Sequence, residues 1–398
     1  MVLAVSEVYV AVAAALEEED DMAGMRKVGI VTLVGYVNFG NRLQNYALQE
    51  CIRSLGFDVL SIKNTPRFGD GAGPIQRRMQ ILQRRGLHAF MDKARSMSAR
   101  MPSPIAPRES LRIKGNLDFT QRYLRESNWS FEELSDTAEF ARGFEYFVVG
   151  SDQVWNPDLR ELNHIDFLTF AAEAQRVAYA ASMGVSHLSR YDQRRYKAYL
   201  SGIPEISVRE YRAAEIVHDI TGRCVPVVLD PTMLMNVEKW RGLTIVPQGL
   251  ASSDYIAKFY LGEEEEGRRA LIDEFARKRG LRIVNMNDPE SIHYCTSPSD
   301  FLGAISKAQF VATDSFHAAV FSTLFETPYV ITGRGQMNSR FSTLERKTGI
   351  RAADWATLAD LRASMEVDWD SVRTRIDHER KESHGFLANS LGRPDGRG

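Results

Sequence analysis

Short β-branched segments alternate with amphipathic helical segments along most of this chain, and this alternation is the strongest constraint on its fold. The first unit has a buried strand at 28–33, a Gly- and Asn-rich turn at 35–41, and a helix that ends before Gly56. A second strand follows at 58–62. A strand, a crossover helix and another strand predict a parallel sheet with helices on its faces.

The alternation continues far enough to build two such sheets. Further strands are predicted at 146–149, 176–180, 206–208 and 225–229, and a second set runs from 255–260 to 329–331. We therefore predict an α/β fold of two Rossmann-like halves whose parallel sheets face a cleft. The domains would be an N-terminal α/β domain at 25–240, a C-terminal α/β domain at 250–350, and a helical, charged region at 351–398.

Two segments interrupt the pattern. Residues 1–24 are rich in Val and Ala and end in an acidic run, without the basic start of a signal peptide. We expect a disordered extension there, which arises because the start codon is assigned too far upstream and the native start is Met22 or Met25. The alternative is an amphipathic helix that binds a partner. Residues 65–114 form an Arg-rich insertion. It fits either a solvated pair of basic helices or a lid that attracts an anionic saccharide or headgroup.

Composition excludes several classes of protein. The 50 basic and 52 acidic residues give a net charge of −2, whereas a general nucleic-acid binder carries a basic excess. Three widely spaced cysteines and scattered histidines predict neither a disulfide scaffold nor a bound metal. No segment has the roughly 20 apolar residues of a membrane span. We expect a cytoplasmic protein, and peripheral association with a membrane remains open.

Polar side chains follow several predicted strands, where ligands bind parallel sheets. Asn41 and Gln44 follow the first strand, and Asp152, Gln153 and Trp155 follow the strand at 146–149. Amide groups can bind sugar hydroxyls, and an indole ring can pack on a sugar. Asn41, Gln44, Gln153 and Trp155 are therefore candidates for an acceptor site. Helix caps, turns and a core Trp are the alternative interpretation.

Cationic and proton-donating groups follow other strands. Arg209 is a candidate clamp for phosphate or carboxylate, and a surface ion pair with Glu210 or Glu215 is the alternative. Ser315 and His317 lie in the first turn of a predicted helix, whose free N–H groups suit an anion. His317 could donate a proton there, or it could simply cap or pack the helix.

Seven segments in register resemble the polysaccharide pyruvyl transferase family across residues 27–349. They are GNRLQNYAL at 40–48, GSDQVWN at 150–156, YAASMG at 179–184, SVRE at 207–210, LDPT at 229–232, DSFH at 314–317 and NSR at 338–340.

The resemblance implies a fold like that of B-type glycosyltransferases and transfer of pyruvate from phosphoenolpyruvate to a sugar as a ketal. The family's donor-site His and Arg match His317 and Arg209. Some members carry Arg where this chain has Ser315 and Gly where it has Ala318. Arg340 is the candidate to supply the positive charge that is missing at position 315. Ser315 and Arg340 are therefore both predicted to bind the donor.

The sequence thus predicts a phosphoenolpyruvate-dependent pyruvyl transferase of exopolysaccharide or cell-wall polymer biosynthesis, without cofactor or metal. Its acceptor would be a lipid-linked or nucleotide-linked saccharide. His317 would be the acid, and Asp152 the base or the group that orients a hydroxyl. Alternatives on the same fold are a nucleotide-sugar-dependent glycosyltransferase and a non-catalytic saccharide-binding protein. A binding protein has little need of Asp152, Arg209 and His317 together.

Overall fold

The computed structural model describes residues 26–64, 107–131, 134, 136–159, 162–332, 338–353 and 355–392. The predicted extension at 1–24 and most of the Arg-rich insertion lie outside these residues. The last part of that insertion, from residue 107, forms the start of a helix.

The N-terminal half is built on a six-stranded parallel sheet in the order β3-β2-β1-β4-β5-β6. Its strands are β1 (Lys27–Val31), β2 (Asp58–Lys63), β3 (Glu126–Ser130), β4 (Tyr146–Val149), β5 (Arg176–Ala181) and β6 (Glu205–Val208). The central strand β1 is buried after its first residue because helices cover both faces of the sheet.

Two details differ from the sequence-based prediction. The segment at 225–229 is not a strand, because Pro226 has no N–H to donate and only Val227 forms a bridge, to Val208. The edge strand β3 was not predicted, since its sequence, ESNWS, is largely polar. Edge strands of this kind carry a weak hydrophobic signal.

Helices of the N-terminal half precede and follow these strands. They are α1 (Phe39–Ser54), α2 (Pro107–Tyr123), α3 (Thr137–Arg142), α4 (Arg190–Ser201), α5 (Tyr211–Thr221), α6 (Pro231–Leu234) and α7 (Val237–Gly242), with 3-10 turns at Ile165–Phe167 and Glu173–Gln175. Helix α1 begins inside the predicted turn because the Asn38 side chain accepts a hydrogen bond from the Asn41 N–H.

The C-terminal half contains a four-stranded parallel sheet in the order β10-β9-β7-β8. Its elements are β7 (Tyr255–Phe259), α8 (Glu266–Arg279), β8 (Arg282–Asn285), α9 (Pro298–Lys307), β9 (Phe310–Thr313), α10 (Phe316–Leu324), β10 (Tyr329–Ile331), α11 (Asn338–Thr348), α12 (Leu358–Ala363) and α13 (Trp369–Ser390). The two parallel sheets confirm the predicted α/β fold class.

The last helix joins the two halves. In α13, the Ser383 hydroxyl accepts a hydrogen bond from the Leu229 N–H at 2.9 Å, and Arg380 Nε donates to the Met233 carbonyl at 2.9 Å. The chain thus returns to the N-terminal half after completing the second sheet. None of the described helices is long and apolar enough to cross a bilayer.

One aromatic side chain, Trp240, lies in the hydrophobic core that the two halves share. The fully buried Trp240 ring packs edge-on against Tyr46 of α1 and Phe321 of α10, at centroid distances of 5.7 and 5.0 Å. Its Nε1–H donates to the Thr232 carbonyl at 3.0 Å. This indole therefore joins helices from both halves.

We expect Trp240→Ala to lower the free energy of unfolding by about 3–5 kcal/mol, because it leaves a large cavity and an unpaired carbonyl. Chemical denaturation monitored by circular dichroism measures the change. Leu159→Ala is the control, since Leu159 is largely exposed. Equal stabilities for the two variants would contradict the role given to Trp240.

Candidate functional site

Four buried side chains from both halves meet beyond the carboxyl ends of the strands. Asp152 follows β4, Arg209 follows β6, Asp230 caps the N-terminus of α6, and His317 lies in the first turn of α10 after β9. We call these residues the ionic cluster. The parallel topology explains the convergence, because it places all of these strand ends on one side of each sheet.

Asp230 lies at the centre of the ionic cluster. Its Oδ2 is 2.6 Å from Arg209 Nη1 and 3.7 Å from His317 Nε2. Its Oδ1 accepts hydrogen bonds from Thr232, from the backbone N–H at 3.1 Å and from the hydroxyl at 2.7 Å. Asp230 was not predicted as a site residue, although its place in the LDPT segment, directly after a predicted strand, was a signal for one.

The cluster keeps both carboxyl groups ionised. Burial by itself would raise the pKa of Asp230, but its contact with His317 and the charge of Arg209 outweigh burial and lower that pKa far below its ordinary range. Burial likewise opposes ionisation of Asp152, and the charges of Arg209, His317 and Arg340 lower its pKa. A carboxylate with a lowered pKa is a weak general base. Of the two predicted roles, orienting a hydroxyl suits Asp152 better.

Arg209 is an internal cation, only 2% exposed. Its Nη2 lies 3.4 Å from Asp152 Oδ1, and its guanidinium carbon lies 4.5 Å from the Phe316 ring centroid. Burial disfavours its charge, but the surrounding carboxylates, Asp230 first, raise its pKa. Both terminal nitrogens of this predicted donor clamp therefore already face carboxylates.

The surface ion pair considered for Arg209 does not form. Glu210 is buried, and its Oε1 accepts hydrogen bonds from the Ser182 hydroxyl at 2.9 Å and from the Met183 and Gly184 N–H groups at 2.8 and 3.0 Å. Glu210 thus holds the turn after β5 rather than binding Arg209.

The amides predicted to bind the acceptor are instead used inside the protein. Asn41 Nδ2 donates to the Leu33 carbonyl at 2.7 Å and lies 3.5 Å from Asp152 Oδ2. Gln44 accepts from the Ser151 hydroxyl at 2.7 Å and donates to the Asn41 carbonyl at 3.0 Å. Both side chains are buried, so they position the turn that carries Asp152.

Trp155 offers no surface to a sugar, because it is only 1% exposed. Its ring stacks on Phe167 with centroids 5.5 Å apart, and its Nε1–H donates to the Asp166 carbonyl. Gln153 is also buried and accepts from Asn156 Nδ2 at 2.6 Å. The core interpretation of this Trp is therefore the one that the structure bears out, since the segment must fill the space beside the sheet.

Ser315 and Arg340, the other two predicted donor-site residues, border different cavities. Ser315 caps α10 and borders a cavity of about 280 Å³ between the halves. Arg340, in α11, lies with its guanidinium carbon 5.7 Å from the Phe316 ring and borders a second cavity, next to Arg209, of only about 10 Å³. The second cavity has room for about one water molecule.

Gly40 allows the His317 ring to reach the N-terminal half. A Cβ at position 40 would overlap the ring at Nδ1, so the imidazole packs directly on the first turn of α1. The ring therefore has Asp230 beside Nε2 and the Gly40 backbone beside Nδ1. Gly40 also borders the 280 Å³ cavity, whereas His317 itself is not among the residues that line it.

The family model for polysaccharide pyruvyl transferase matches residues 38–334. No curated protein matches the chain.

Solved structures similar to this chain have sequence identities near one tenth. A Rickettsia africae glycosyltransferase has 9% identity and a TM-score of 0.44, with 93% of this chain and 100% of that chain covered. A Neisseria meningitidis UDP-GlcNAc 2-epimerase bound to UDP-GlcNAc has 10% identity and a TM-score of 0.47, with 92% and 100% covered. Anabaena HepE in complex with UDP-glucose has 11% identity and a TM-score of 0.41, with 90% and 100% covered.

The buried charges predict how stability depends on pH. Asp230→Asn should lower the free energy of unfolding at pH 7 by about 3–5 kcal/mol, because it leaves Arg209 with a weakened counter-ion. The folded-state pKa of Asp230 is lowered, so its stabilisation is complete above the unfolded pKa of about 4 and declines as pH falls below it. The difference between wild type and variant should therefore narrow on acidification.

Urea unfolding at pH 7 and pH 3.5 measures this difference. Asp254→Asn is the matched control, because Asp254 forms an exposed ion pair with Arg282 and such pairs contribute little. A difference between wild type and Asp230→Asn that is the same at both pH values would contradict the assignment.

Proposed function

Because the chain belongs to the polysaccharide pyruvyl transferase family, we propose that it transfers pyruvate from phosphoenolpyruvate to a saccharide and forms a cyclic ketal. The observation that supports this most is the ionic cluster, which brings an acid, a cation and two carboxylates together between the halves. The proposed acceptor is a lipid-linked or nucleotide-linked saccharide used for an exopolysaccharide or cell-wall polymer. The proposed location is the cytoplasm.

The proposed reaction needs a proton donor and a stabilised cationic centre. Protonation of the phosphoenolpyruvate methylene carbon gives an oxocarbenium-like centre at C2, and one sugar hydroxyl adds to it. A second hydroxyl then displaces phosphate and closes the ketal ring, so a diol and phosphoenolpyruvate yield a ketal and inorganic phosphate. One of the two protons lost by the hydroxyls restores the acid that protonated the carbon, and the other goes to the departing phosphate.

The residues of the ionic cluster fit these roles. His317 is the proposed acid, with Asp230 orienting the ring from the Nε2 side and offsetting its charge when it is protonated. The opposite nitrogen, Nδ1, packs against Gly40, which borders the 280 Å³ cavity. Asp152, held by Asn41 and Arg209, is proposed to orient an acceptor hydroxyl.

Substitution of His317 tests the proposed acid. We expect His317→Ala to lower turnover by about 100-fold or more, because general acid catalysis typically contributes that much. His317→Gln should keep donor binding but turn over poorly, since an amide can hydrogen-bond phosphate but cannot supply a proton. Phosphate release and mass spectrometry of the acceptor measure turnover, and calorimetry measures donor binding.

Thermal melting of the same variants separates chemistry from packing. Stable variants with unchanged turnover would remove His317 from the mechanism. Release of a nucleotide from a nucleotide-sugar, without phosphate release from phosphoenolpyruvate, would instead identify a glycosyltransferase.

Gly40 is proposed to position the acid. Gly40→Ala should lower kcat by about 10-fold or more, because the added methyl group pushes the imidazole from its place and misplacements near 1 Å are costly. Gly267→Ala is the control, since a Cβ there meets no atom within 4 Å. Steady-state kinetics of both variants, with melting temperatures, make the comparison. Equal kcat values would show that the ring does not need this contact.

A further inference from the structure

The 280 Å³ cavity lies between the two halves, on the Gly40 side of His317. The N-caps of α1 and α10, Asn38 and Ser315, both border it, and Phe39 and Phe301 form apolar wall. A cavity of this size can hold a small phosphorylated acid or one sugar ring. It is large enough for a substrate, and the cavity beside Arg209 is not.

Arg112 borders this cavity and is only 5% exposed. It comes from α2 and reaches the C-terminal half, where Nε donates to the Cys295 carbonyl at 3.0 Å and Nη1 to Asn287 Oδ1 at 2.6 Å. Nη2 lies 3.4 Å from the Met286 carbonyl. The guanidinium also lies 3.8 Å from the Tyr294 ring centroid. The side chain is therefore held in place by neutral groups.

The charge of Arg112 is balanced less closely than the charges of Arg42 and Arg209, since Glu109 acts on it without forming an ion pair. The buried Arg42 pairs with Glu126 at 2.8 Å, and the buried Arg209 pairs with Asp230. Within the described ranges, no carboxylate forms an ion pair with Arg112. Buried charges in proteins are normally paired, so an unmatched buried cation at a cavity wall points to an anion that is supplied by a ligand. Three of its five N–H groups are used, which leaves two for that anion.

We infer that this cavity binds a substrate phosphate group and that Arg112 is its binding residue. The inference rests on the proposed function for the identity of the substrate. Two sources share this chemistry, namely the phosphoenolpyruvate donor and the phosphate of a nucleotide-linked or lipid-linked acceptor. The donor is the favoured source, because Gly40 and Ser315, which border the cavity, adjoin the proposed acid His317, and the space near Arg209 and Arg340 is too small.

A charge change at Ser315 tests the inference without touching the bonds of Arg112. Asp and Asn both cap helices well, so Ser315→Asp and Ser315→Asn should keep α10 intact and differ in charge alone. Ser315→Asp should weaken phosphoenolpyruvate binding by about 30-fold or more relative to Ser315→Asn, because it puts a carboxylate beside the ligand anion. Calorimetry with phosphoenolpyruvate and with inorganic phosphate measures this.

Arg112 itself is tested with a matched arginine. Arg112→Met should also weaken donor binding by about 30-fold or more, and Arg112→Lys should restore part of it. Arg176→Met is the control, because Arg176 likewise donates to backbone carbonyls, of Ala171 and Gly202, but does not border the cavity. The control should lose thermal stability and keep donor affinity.

The outcomes of these experiments distinguish the donor phosphate from the acceptor phosphate as the ligand. They also distinguish failure of the cavity assignment from failure of the proposed function. Unchanged donor affinity with a raised acceptor KM in Ser315→Asp would place the acceptor phosphate in the cavity. Unchanged donor affinity and unchanged acceptor KM in folded Ser315→Asp protein would overturn the inference. Charge-dependent phosphoenolpyruvate binding without ketal formation on any acceptor would uphold the cavity assignment and overturn the proposed function.

Discussion

The carboxylate of Asp230 is the point on which the arrangement of the site depends. It is fully buried, and it contacts Arg209 of the N-terminal half at 2.6 Å and lies 3.7 Å from His317 of the C-terminal half. A buried carboxylate is tolerated only when cations and hydrogen-bond donors surround it. The position of each half is therefore coupled to the charge balance of the cluster, and His317 is held in place by the same contact.

The N-terminal half completes this arrangement through the first turn of α1. Gly40 gives the imidazole room, while Asn41 holds the turn of Asp152 and is itself held by Arg42, whose Nη2 donates to Asn41 Oδ1 at 2.7 Å. The buried side chains of the GNRLQN segment thus support two site residues, Asp152 and His317. The side chains of Asn41, Arg42 and Gln44 are buried and hydrogen-bonded inside the protein, as most buried polar groups are.

Strand pattern and position after strands predicted the parallel sheets and brought Arg209, Asp152 and His317 to one region. These predictions worked because hydrophobic alternation and parallel topology are both readable in one sequence. The sequence did not show which of these side chains are buried. Asn41, Gln44 and Trp155 are residue types that often bind sugars, but in the fold all three are buried and make contacts inside the protein. Arg112 was not predicted as a site residue, because it lies in an Arg-rich segment whose sequence does not distinguish one arginine from the others.

The two sides of His317 differ in how their charges are balanced. On the Asp230 side, Arg209 already faces two carboxylates, so this side can hold its geometry without a ligand. On the Gly40 side, the hydrogen-bond partners of Arg112 in the described part of the chain are neutral, and Arg112 borders an open cavity. An anion that enters there meets its own counter-ion and need not compete for Arg209. In the proposed reaction, His317 can then keep Asp230 beside it while substrate binds, and such preorganisation favours proton transfer.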